Sequence, residues 1–356
     1  MRIGVCIASH VGDIDYVVRA EELGYDSAWF ADSQMLWSDC YAALALAATR
    51  TGRIRLGTGV AISGTRPAPV TAASIATINV LAPGRTFLGV GTGNTAMRIM
   101  GRPPQRIAEF EQYLREIRPL LKGEEAVVEL AGRDRPIRHL MRDRGFVNFE
   151  DPIPIYVSGF GARSLGLAGG LGDGAVLAMP TNTAVMEHFW TSIEAGAADA
   201  GRSLDRDSFP TCALTTISVL DPGETIDSSR IREECGPFAM ATVHFAYDQW
   251  RQLGKQPPAF LSEIWDEYCA LLERVPEERR HQRIHADHNC WVAQEEERFV
   301  TADLIAATCV VGTSDDIVSR LGELERAGLD QVMILPGFEP RYEVLERIGR
   351  DVIPRC

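Results

Sequence analysis

Short apolar runs alternate along the chain with longer amphipathic stretches. Apolar runs of strand length that are bounded by glycine, proline or charged residues predict buried β-strands. Successive runs of this kind lie at Met1–Ala8, Ser27–Ala31, Ile54–Ala61, Thr86–Val90, Ile155–Val157, Gly174–Leu177, Ala213–Val219 and Gln331–Leu335.

The stretches between these runs have the apolar spacing of helices. They predict helices at Val11–Leu23, Cys40–Thr51, Pro69–Leu81, Pro104–Leu121, Ser164–Leu171, Thr183–Ala200 and Ser314–Ala327. Strands that alternate with helices predict a parallel sheet. Because eight strand candidates occur, the pattern favours an α/β fold of the closed (β/α)8 type, a TIM barrel, over an open doubly wound sheet.

Two segments are longer than ordinary connections. Residues 122–151 contain a predicted strand pair around the sequence AVVEL, and residues 220–313 contain aromatic helical stretches. Loops of this length in a compact domain are commonly lids or binding elements. We therefore expect a single domain over residues 1–356 with two insertions, the larger of which forms a wall of the substrate pocket.

Composition narrows the class of protein. The formal net charge of −13 argues against a nucleic-acid partner, and the basic run Arg133–Arg144 is interrupted by aspartates, which indicates a solvated loop. No apolar run is long enough to span a membrane, and the first residues continue directly into a strand rather than a signal peptide. The eight cysteines show no CxxC spacing, which is typical of reduced thiols, so we expect a cytoplasmic protein.

Several motifs resemble the luciferase-like superfamily of flavin and deazaflavin enzymes, most of all its branch similar to methylenetetrahydromethanopterin reductase. The matching segments are MRIGV, GYDSAWFADSQ, RIRLGTGV, TRPAPVTAASIATINVLAPGRTFLGVGTGN, PIYVSGFGARSLGLAGGLGDGAVL and GLDQVMILP. They follow the family's order, whereas residues 222–300 lie outside the match. The resemblance implies a TIM barrel that binds a flavin or deazaflavin at the C-terminal mouth, and it suggests a homodimer.

The end of the third strand is made of small residues. A flat ring can lie against backbone only where side chains are small. The resemblance implies that Gly59, Val60 and Ala61 form a bulge, in many relatives with a non-proline cis peptide, which supports the middle of the ring. The alternative is a plain barrel strand that packs tightly.

The exit of the fourth strand, GTGNTA from Gly91, satisfies the GxGxxA pattern of dinucleotide-binding folds. Such a fold would place the motif after its first strand and would carry an acidic residue further on. Because the next helix is predicted only from about Pro104, we expect a loop in which Thr92 and Asn94 contact the ring or its ribityl chain. A glycine-rich turn without ligand is the alternative.

A second glycine-rich segment follows the fifth strand and opens a helix. Its free backbone amides and the helix dipole make an anion site, to which an arginine and a serine add a charge and a hydroxyl. By resemblance this is the family's phosphate cradle, and otherwise it is a turn that only redirects the chain. The cradle consists of Ser158, Gly159, Phe160, Gly161, Ala162, Arg163 and Ser164. Met179, after the sixth strand, is expected to approach the cofactor from the other side.

Candidate reaction residues lie after the first two strands. Several relatives carry an acidic residue followed by histidine where this chain has Asp32 and Ser33, so the histidine's role as acid or base cannot be transferred. Asp32 is the remaining candidate, unless it caps a turn or pairs with an arginine. His10 faces the predicted mouth as a second candidate.

The substrate-binding predictions fall on three residues. Ser33 lies beside the candidate acid, Trp37 offers an apolar wall, and Arg66 could hold an anionic group or remain exposed. The spacing of His281, His285 and His288 places three imidazoles near one helical face. Because neighbouring arginines oppose a cation and no HExxH or CxxC accompanies them, we expect no metal site there.

These observations lead to a flavin-dependent oxidoreductase that acts on a small organic molecule. The preferred expectation is a monooxygenase that uses O2 and reduced FMN from a separate flavin reductase, since the chain has no NAD(P)H domain. One alternative is hydride transfer with coenzyme F420, without oxygen. Another is a noncatalytic flavin-binding barrel, which the absent histidine motivates.

Overall fold

Eight parallel strands close into a barrel in the computed structural model, which describes residues 1–356. The barrel strands are β1 (Arg2–Ile7), β2 (Ser27–Phe30), β3 (Arg55–Ile62), β4 (Thr86–Gly91), β5 (Ile155–Ser158), β6 (Gly174–Ala178), β7 (Thr211–Thr215) and β8 (Gln331–Ile334). Each strand pairs with its successor, and β8 pairs with β1. The predicted (β/α)8 barrel is confirmed.

Helices connect the strands and cover the barrel. They are α1 (Asp15–Glu22), α2 (Cys40–Arg50), α3 (Ala68–Leu81), α4 (Asn94–Arg98), α5 (Ile107–Leu120), α6 (Ala162–Leu171), α7 (Thr183–Asp199), α8 (Ser229–Leu253), α9 (Trp265–Glu273), α10 (Glu277–Ile284), α11 (Ala302–Thr308), α12 (Ser314–Arg326) and α13 (Arg341–Asp351). No helix combines the length and apolar character that crossing a bilayer requires. All eight cysteines are free thiols.

Two apolar clusters fill the barrel and the layer around it. A cluster of 62 buried residues fills the space between the strands and the surrounding helices. The barrel interior is filled by Cys6, Trp29, Phe87, Tyr156, Val176, Cys212, Met333 and Leu335. Because the interior is packed, a ligand has room only above it, at one end of the barrel.

The smaller insertion contains an antiparallel pair, Ala126–Leu130 with Arg133–Ile137, as predicted around AVVEL. The basic run is solvent-exposed as expected, but its first half is a strand rather than a loop. It pairs with Ala126–Leu130 because the turn at Ala131 and Gly132, both with positive φ, reverses the chain tightly.

The larger insertion begins and ends on two short strands. The predicted seventh strand, Ala213–Val219, is divided: β7 stops at Thr215, and Ile217–Val219 leaves the barrel to pair in parallel with Val310–Gly312. The helices between these strands bury 18 residues in a core of their own. This part of the chain is therefore a packed helical unit and not a loose loop.

Helix α8 of this unit passes over the C-terminal end of the barrel. The backbone N–H of Gly337, just beyond β8, donates to the carbonyl of Glu234 over 2.9 Å. Phe238 packs against the apolar cluster inside the barrel. Phe245 lies edge-on to Phe160 beyond β5, with ring centroids 6.4 Å apart. The insertion thus covers the mouth, as expected for a pocket wall.

Candidate active site

The strand exits that carry the predicted site residues lie on one rim. Strands β2 to β6 are parallel neighbours in the barrel, so their C-terminal ends open on the same side. The small-residue segment of β3, the exit of β4 and the cradle after β5 are consequently adjacent. This convergence is the geometric condition that a cofactor site at the mouth requires.

The end of β3 forms the floor of this mouth. The Gly59–Val60 peptide bond is cis, and the pairing of β3 with β4 shifts register between Thr58 and Ala61. The bulge that the resemblance implies is therefore present. Val60 packs against two apolar clusters, the one inside the barrel and the one that contains Ile62.

Gly91 leaves the surface next to Val60 without a side chain. A Cβ atom at Gly91 would lie 3.1 Å from Cγ2 of Val60 and 3.3 Å from Cβ of Ser158. Such a methyl group would crowd both residues and rise between β3 and β5. The three residues form a shallow bed of small groups, which fits a planar ring.

The β4 exit differs from the expected open loop. After Gly93, whose φ is +83°, the short helix α4 begins at once with Asn94. The side-chain oxygen of Asn94 accepts a hydrogen bond from Nε of Arg98 over 2.7 Å. The sequence pattern predicted the next helix only from about Pro104 and therefore missed this short one. Thr92 is half-buried and remains a predicted cofactor contact.

The cradle opens helix α6 with exposed residues. Phe160, Gly161, Ala162 and Arg163 are exposed to solvent, and a Cβ at Gly161 would meet nothing within 4 Å. The first-turn amides of a helix have no intrahelical acceptor, so this end of α6 can take an anion. The Ser164 hydroxyl donates to the carbonyl of Gly161 over 2.9 Å. It therefore stabilises the turn itself.

The β2 exit brings a predicted catalytic residue and a predicted substrate residue together. Asp32 is buried and forms an ion pair with Arg66, whose other terminal nitrogen bonds Asp39 over 2.8 Å. Asp32 also accepts the backbone N–H of Ile62 over 3.3 Å. The buried Ser33 accepts two backbone N–H groups through its carbonyl. The alternative to a catalytic role, that Asp32 pairs with an arginine, therefore describes a contact that is present.

His10 and Met179 lie just beyond the ends of β1 and β6. His10 is exposed beyond β1, and its Nδ1 accepts the backbone N–H of Gly12 over 3.1 Å. Its ring centroid is 6.2 Å from that of Phe338, beyond β8. Met179 packs partly against the core between sheet and helices. Neither residue contacts the ion pair of Asp32.

A group of buried polar residues at the mouth was not predicted as a unit. Nε2 of His288 lies 3.1 Å from the Thr95 hydroxyl on α4, and its ring centroid is 6.3 Å from that of Trp37 beyond β2. His285 approaches Asp248 of α8, at 3.5 Å from Nε2 to Oδ2. Asp248 in turn lies 3.4 Å from Nε of Arg98. Helix α8, helix α4 and the segment after α10 therefore meet here.

The spacing of the histidines in the sequence predicted that they lie close together, but on one helix. Helix α10 ends at Ile284, so His285 and His288 lie beyond it. No group of three or more histidine, cysteine or acidic side chains is arranged to hold a metal ion. Burial lowers the pKa of His285 below its ordinary value, and burial together with the neighbouring histidines lowers the pKa of His288 well below its own. These shifts favour the neutral form of both rings.

Fold and rim together define an oxidoreductase barrel of known type. The sequence model of the luciferase-like monooxygenase family matches residues 9–331. The chain belongs to this family and is an enzyme, with the barrel mouth as its candidate active site.

Individual relatives narrow this class. The chain is 34% identical over 358 residues to an F420-dependent glucose-6-phosphate dehydrogenase of Intrasporangium calvum, covering 96% of this chain and 93% of the relative. It is 28% identical over 348 residues to the 5,10-methylenetetrahydromethanopterin reductase of Archaeoglobus fulgidus, covering 96% and 94%. A Pseudomonas putida type II Baeyer-Villiger monooxygenase in complex with FMN shares the fold, with a TM-score of 0.67 at 18% identity over 99% and 98% of the two chains.

Proposed function

We propose that this enzyme is an F420-dependent oxidoreductase that transfers a hydride between the deazaflavin and a small organic substrate. The proposal rests on the relative of 34% identity, which matches nearly the whole chain and is named as F420-dependent. The likeness to the FMN enzyme is one of fold at 18% identity and does not favour FMN. The preferred sequence-based expectation, oxygenation with reduced FMN, is therefore less well supported than its F420 alternative.

The rim residues fit the cofactor's shape. Gly59, Val60 and Ala61 would support the ring, because Gly91 adds no side chain beside Val60. Thr92 and Asn94 would meet the edge of the ring or its chain. The deazaflavin supplies a carbon centre that accepts or donates a hydride and does not activate oxygen.

The cradle would hold the acidic tail. The residues that open α6 are exposed, Arg163 among them. A helix N-terminus and an arginine stabilise a phosphate by hydrogen bonds and by charge. The tail would anchor the ring from the β5 side, away from Asp32.

The insertion would exclude water from the reacting atoms. Helix α8 lies over the barrel mouth, where it contacts Gly337 beyond β8 and Phe160 beyond β5. Its Phe238 contacts the cluster inside the barrel. Displacing water strengthens polar interactions around the substrate and protects a transferred hydride from side reactions. A separate flavin reductase has no part in this scheme.

Anaerobic turnover tests the proposal. The protein is mixed with oxidised F420 and a panel of alcohols, or with reduced F420 and the matching carbonyl compounds, and the visible absorbance of the cofactor is followed. We expect cofactor conversion without oxygen for at least one pair. Oxygen uptake that depends on reduced FMN and a substrate, with no conversion of F420, would establish the monooxygenase alternative instead.

A further inference from the structure

We propose that the substrate of this enzyme is an uncharged molecule with an apolar, ring-sized body, and that helix α8 selects it. The inference deepens the proposed function and rests on it, because it takes the deazaflavin ring to lie on the floor at β3. It is carried by one side of α8, which we call the α8 ceiling. The α8 ceiling consists of Phe238, Ala241, Thr242 and Phe245.

The residues of the α8 ceiling share one side of the helix. Their spacing of three, four and seven positions places them in one row over about two turns. All four are partly buried. The opposite side of α8 belongs to the core of the larger insertion, to which it contributes Cys235, Ala239, Met240, Val243, Ala246 and Tyr247. The α8 ceiling therefore faces away from that core.

Two contacts direct the α8 ceiling toward the barrel mouth. Phe238 packs against the cluster inside the barrel, as do Val60 of β3 and Leu214 of β7. Phe245 lies edge-on to Phe160 beyond β5, with ring centroids 6.4 Å apart. The α8 ceiling consequently extends from the middle of the barrel mouth to the cradle.

This position sets where a substrate has to bind. Hydride transfer requires the reacting carbon to lie against the cofactor ring, at roughly 3–3.5 Å. With one face of the ring on the β3 bed and the tail at the cradle, the substrate would take the other face. That face is the one that α8 covers, so the substrate would lie between the ring and the α8 ceiling.

The shape of the α8 ceiling suits a ring. Phe238 and Phe245 are about 10 Å apart along the helix, because each residue advances it by about 1.5 Å. Ala241 lies between them and carries only a methyl group, so a notch separates the two phenyl rings. Phenyl rings pack favourably on the faces and edges of other rings. The Thr242 hydroxyl is the polar group of the α8 ceiling and suits a neutral oxygen such as a carbonyl.

The α8 ceiling carries no charge, and the buried ionisable groups of α8 have ionisable partners elsewhere. These pairs are Glu234 with Arg230, His244 with Glu296, and Asp248 with Arg98. None of the three belongs to the α8 ceiling. A substrate below α8 would therefore meet apolar side chains and one hydroxyl.

The buried and half-buried arginines of the rim are also engaged. Their partners are Asp32 and Asp39 for Arg66, Asp248 for Arg98, and Asp13 for Arg341. A phosphate brought between ring and ceiling would lose its water against apolar groups and find these arginines already neutralised, which is unfavourable. The inference thus separates this chain from the relative of 34% identity, whose name gives a phosphorylated sugar as its substrate.

Two probes that share a ring but differ in charge test the class of substrate. 4-Fluoroacetophenone is uncharged, whereas 4-fluorophenyl phosphate is an anion, and the 19F NMR signal of each is followed as protein saturated with F420 is added. We expect the ketone to bind at least tenfold more tightly than the phosphate. Equal or tighter binding of the phosphate would overturn the inference, and so would a ketone that does not bind at millimolar concentration.

Substitutions in the α8 ceiling test where the ketone binds. F245A removes one wall of the notch and A241L fills it, so each should weaken binding of the ketone by about tenfold. F146A, at a phenylalanine 64% exposed in the smaller insertion, is the control and should leave binding unchanged. Thermal unfolding checks that the three variants are folded. Ketone affinity at the wild-type value in both F245A and A241L would show that the α8 ceiling does not contact the substrate.

Titration with F420 alone separates this inference from the proposed function. F420 that fails to bind would refute the proposed function, and the preference between the two probes, measured on the protein alone, would still decide the role of the α8 ceiling. F420 that binds without any preference for the ketone would leave the proposed function in place and refute the inference.

Discussion

Asp32, which the sequence predicts as a catalytic residue, is held in a buried ion pair in the fold. Its side chain is 2% exposed, and it meets Arg66, whose side chain is 20% exposed and which stacks over Tyr41. Removing one partner of a buried ion pair leaves the other charge uncompensated, which costs more than the pair itself contributes. Asp39, the second partner of Arg66, is 53% exposed and so contributes little.

The two aspartates can be compared directly by substitution. D32N should lower the free energy of unfolding by about 3 kcal/mol. D39N should cost less than about 1 kcal/mol, because asparagine preserves the cap that Asp39 provides to Tyr41 and Ala42. Urea unfolding of both variants measures the difference. A D32N protein of wild-type stability that has lost turnover would restore Asp32 as the catalytic acid or base.

At the level of single residues, the sequence predicted where site segments lie better than it predicted which side chains contact one another. The bulge at Gly59 to Ala61 lies where the family resemblance implied it, and the glycine-rich segment Ser158 to Ser164 opens a helix as predicted. The pairing of Thr95 with His288 was not predicted, since 193 positions separate the two residues and no local pattern reports such contacts. Asp32 and Arg66 were both selected, but for different roles.

Among the elements, α6 and α7 depend on glycine to pack closely. A Cβ at Gly196 would lie 2.0 Å from the carbonyl oxygen of Gly166, and one at Gly169 would lie 1.8 Å from that of Ile193. A Cβ at Gly166, in contrast, would make only ordinary contacts, the nearest at 3.7 Å. This crossing holds the start of α6, and with it the cradle, in place.

Alanine substitutions in this crossing should act in opposite directions. G196A forces the helices apart and should lower the free energy of unfolding by about 1–3 kcal/mol. G166A adds no clash and improves helix propensity, so it should be neutral or stabilising by up to about 1 kcal/mol. Thermal or urea unfolding compares them. Equal effects from the two variants would show that the close approach is not what constrains these helices.

The larger insertion should respond to acid through its buried histidines. Burial lowers the pKa values of His285 and His288 in the folded state, so below about pH 6.5, the ordinary histidine pKa, the unfolded chain binds more protons. Stability of this region should therefore fall as the pH drops from about 7 toward 5. Hydrogen exchange over residues 281–291, corrected for its intrinsic pH dependence, should show faster local opening at the lower pH. Protection that stays constant over this range would contradict the expectation.

The pattern predicted elements where burial is simple and missed them where tertiary context decides. Strands buried on both faces appear as continuous apolar runs, which is why all eight barrel positions were found. The seventh was drawn too long because Ile217–Val219 is equally apolar, although it pairs outside the barrel. The final helix α13 and the short α4 were not predicted, and α4, with only five residues, is too short to show a helical period.

For the whole molecule, we predict self-association through one face of helix α3. Helix α3 has no charged residue, yet it exposes 50% of Val70, 40% of Val80 and 42% of Leu81. An uncharged, partly apolar helix face on the surface is typical of an interface. This agrees with the homodimer that the family resemblance suggests, which stays a prediction.

A charge on this face should prevent pairing. We expect the wild type to be dimeric by light scattering after size-exclusion chromatography and V80E to be monomeric. L253E, at a leucine 62% exposed at the end of α8, should leave the dimer intact. A monomeric wild type, or a V80E variant that remains dimeric, would exclude this face as the interface.

The account depends most on the cofactor that the barrel mouth accepts, and equilibrium titration with F420 and with FMN measures this directly. Fluorescence quenching should give clear binding of F420 and much weaker binding of FMN, and R163A should weaken the binding of F420 by about tenfold, the loss of one charge-assisted contact. R135A, at an exposed arginine of the smaller insertion, should not. Tight binding of FMN with no binding of F420 would contradict the proposed function.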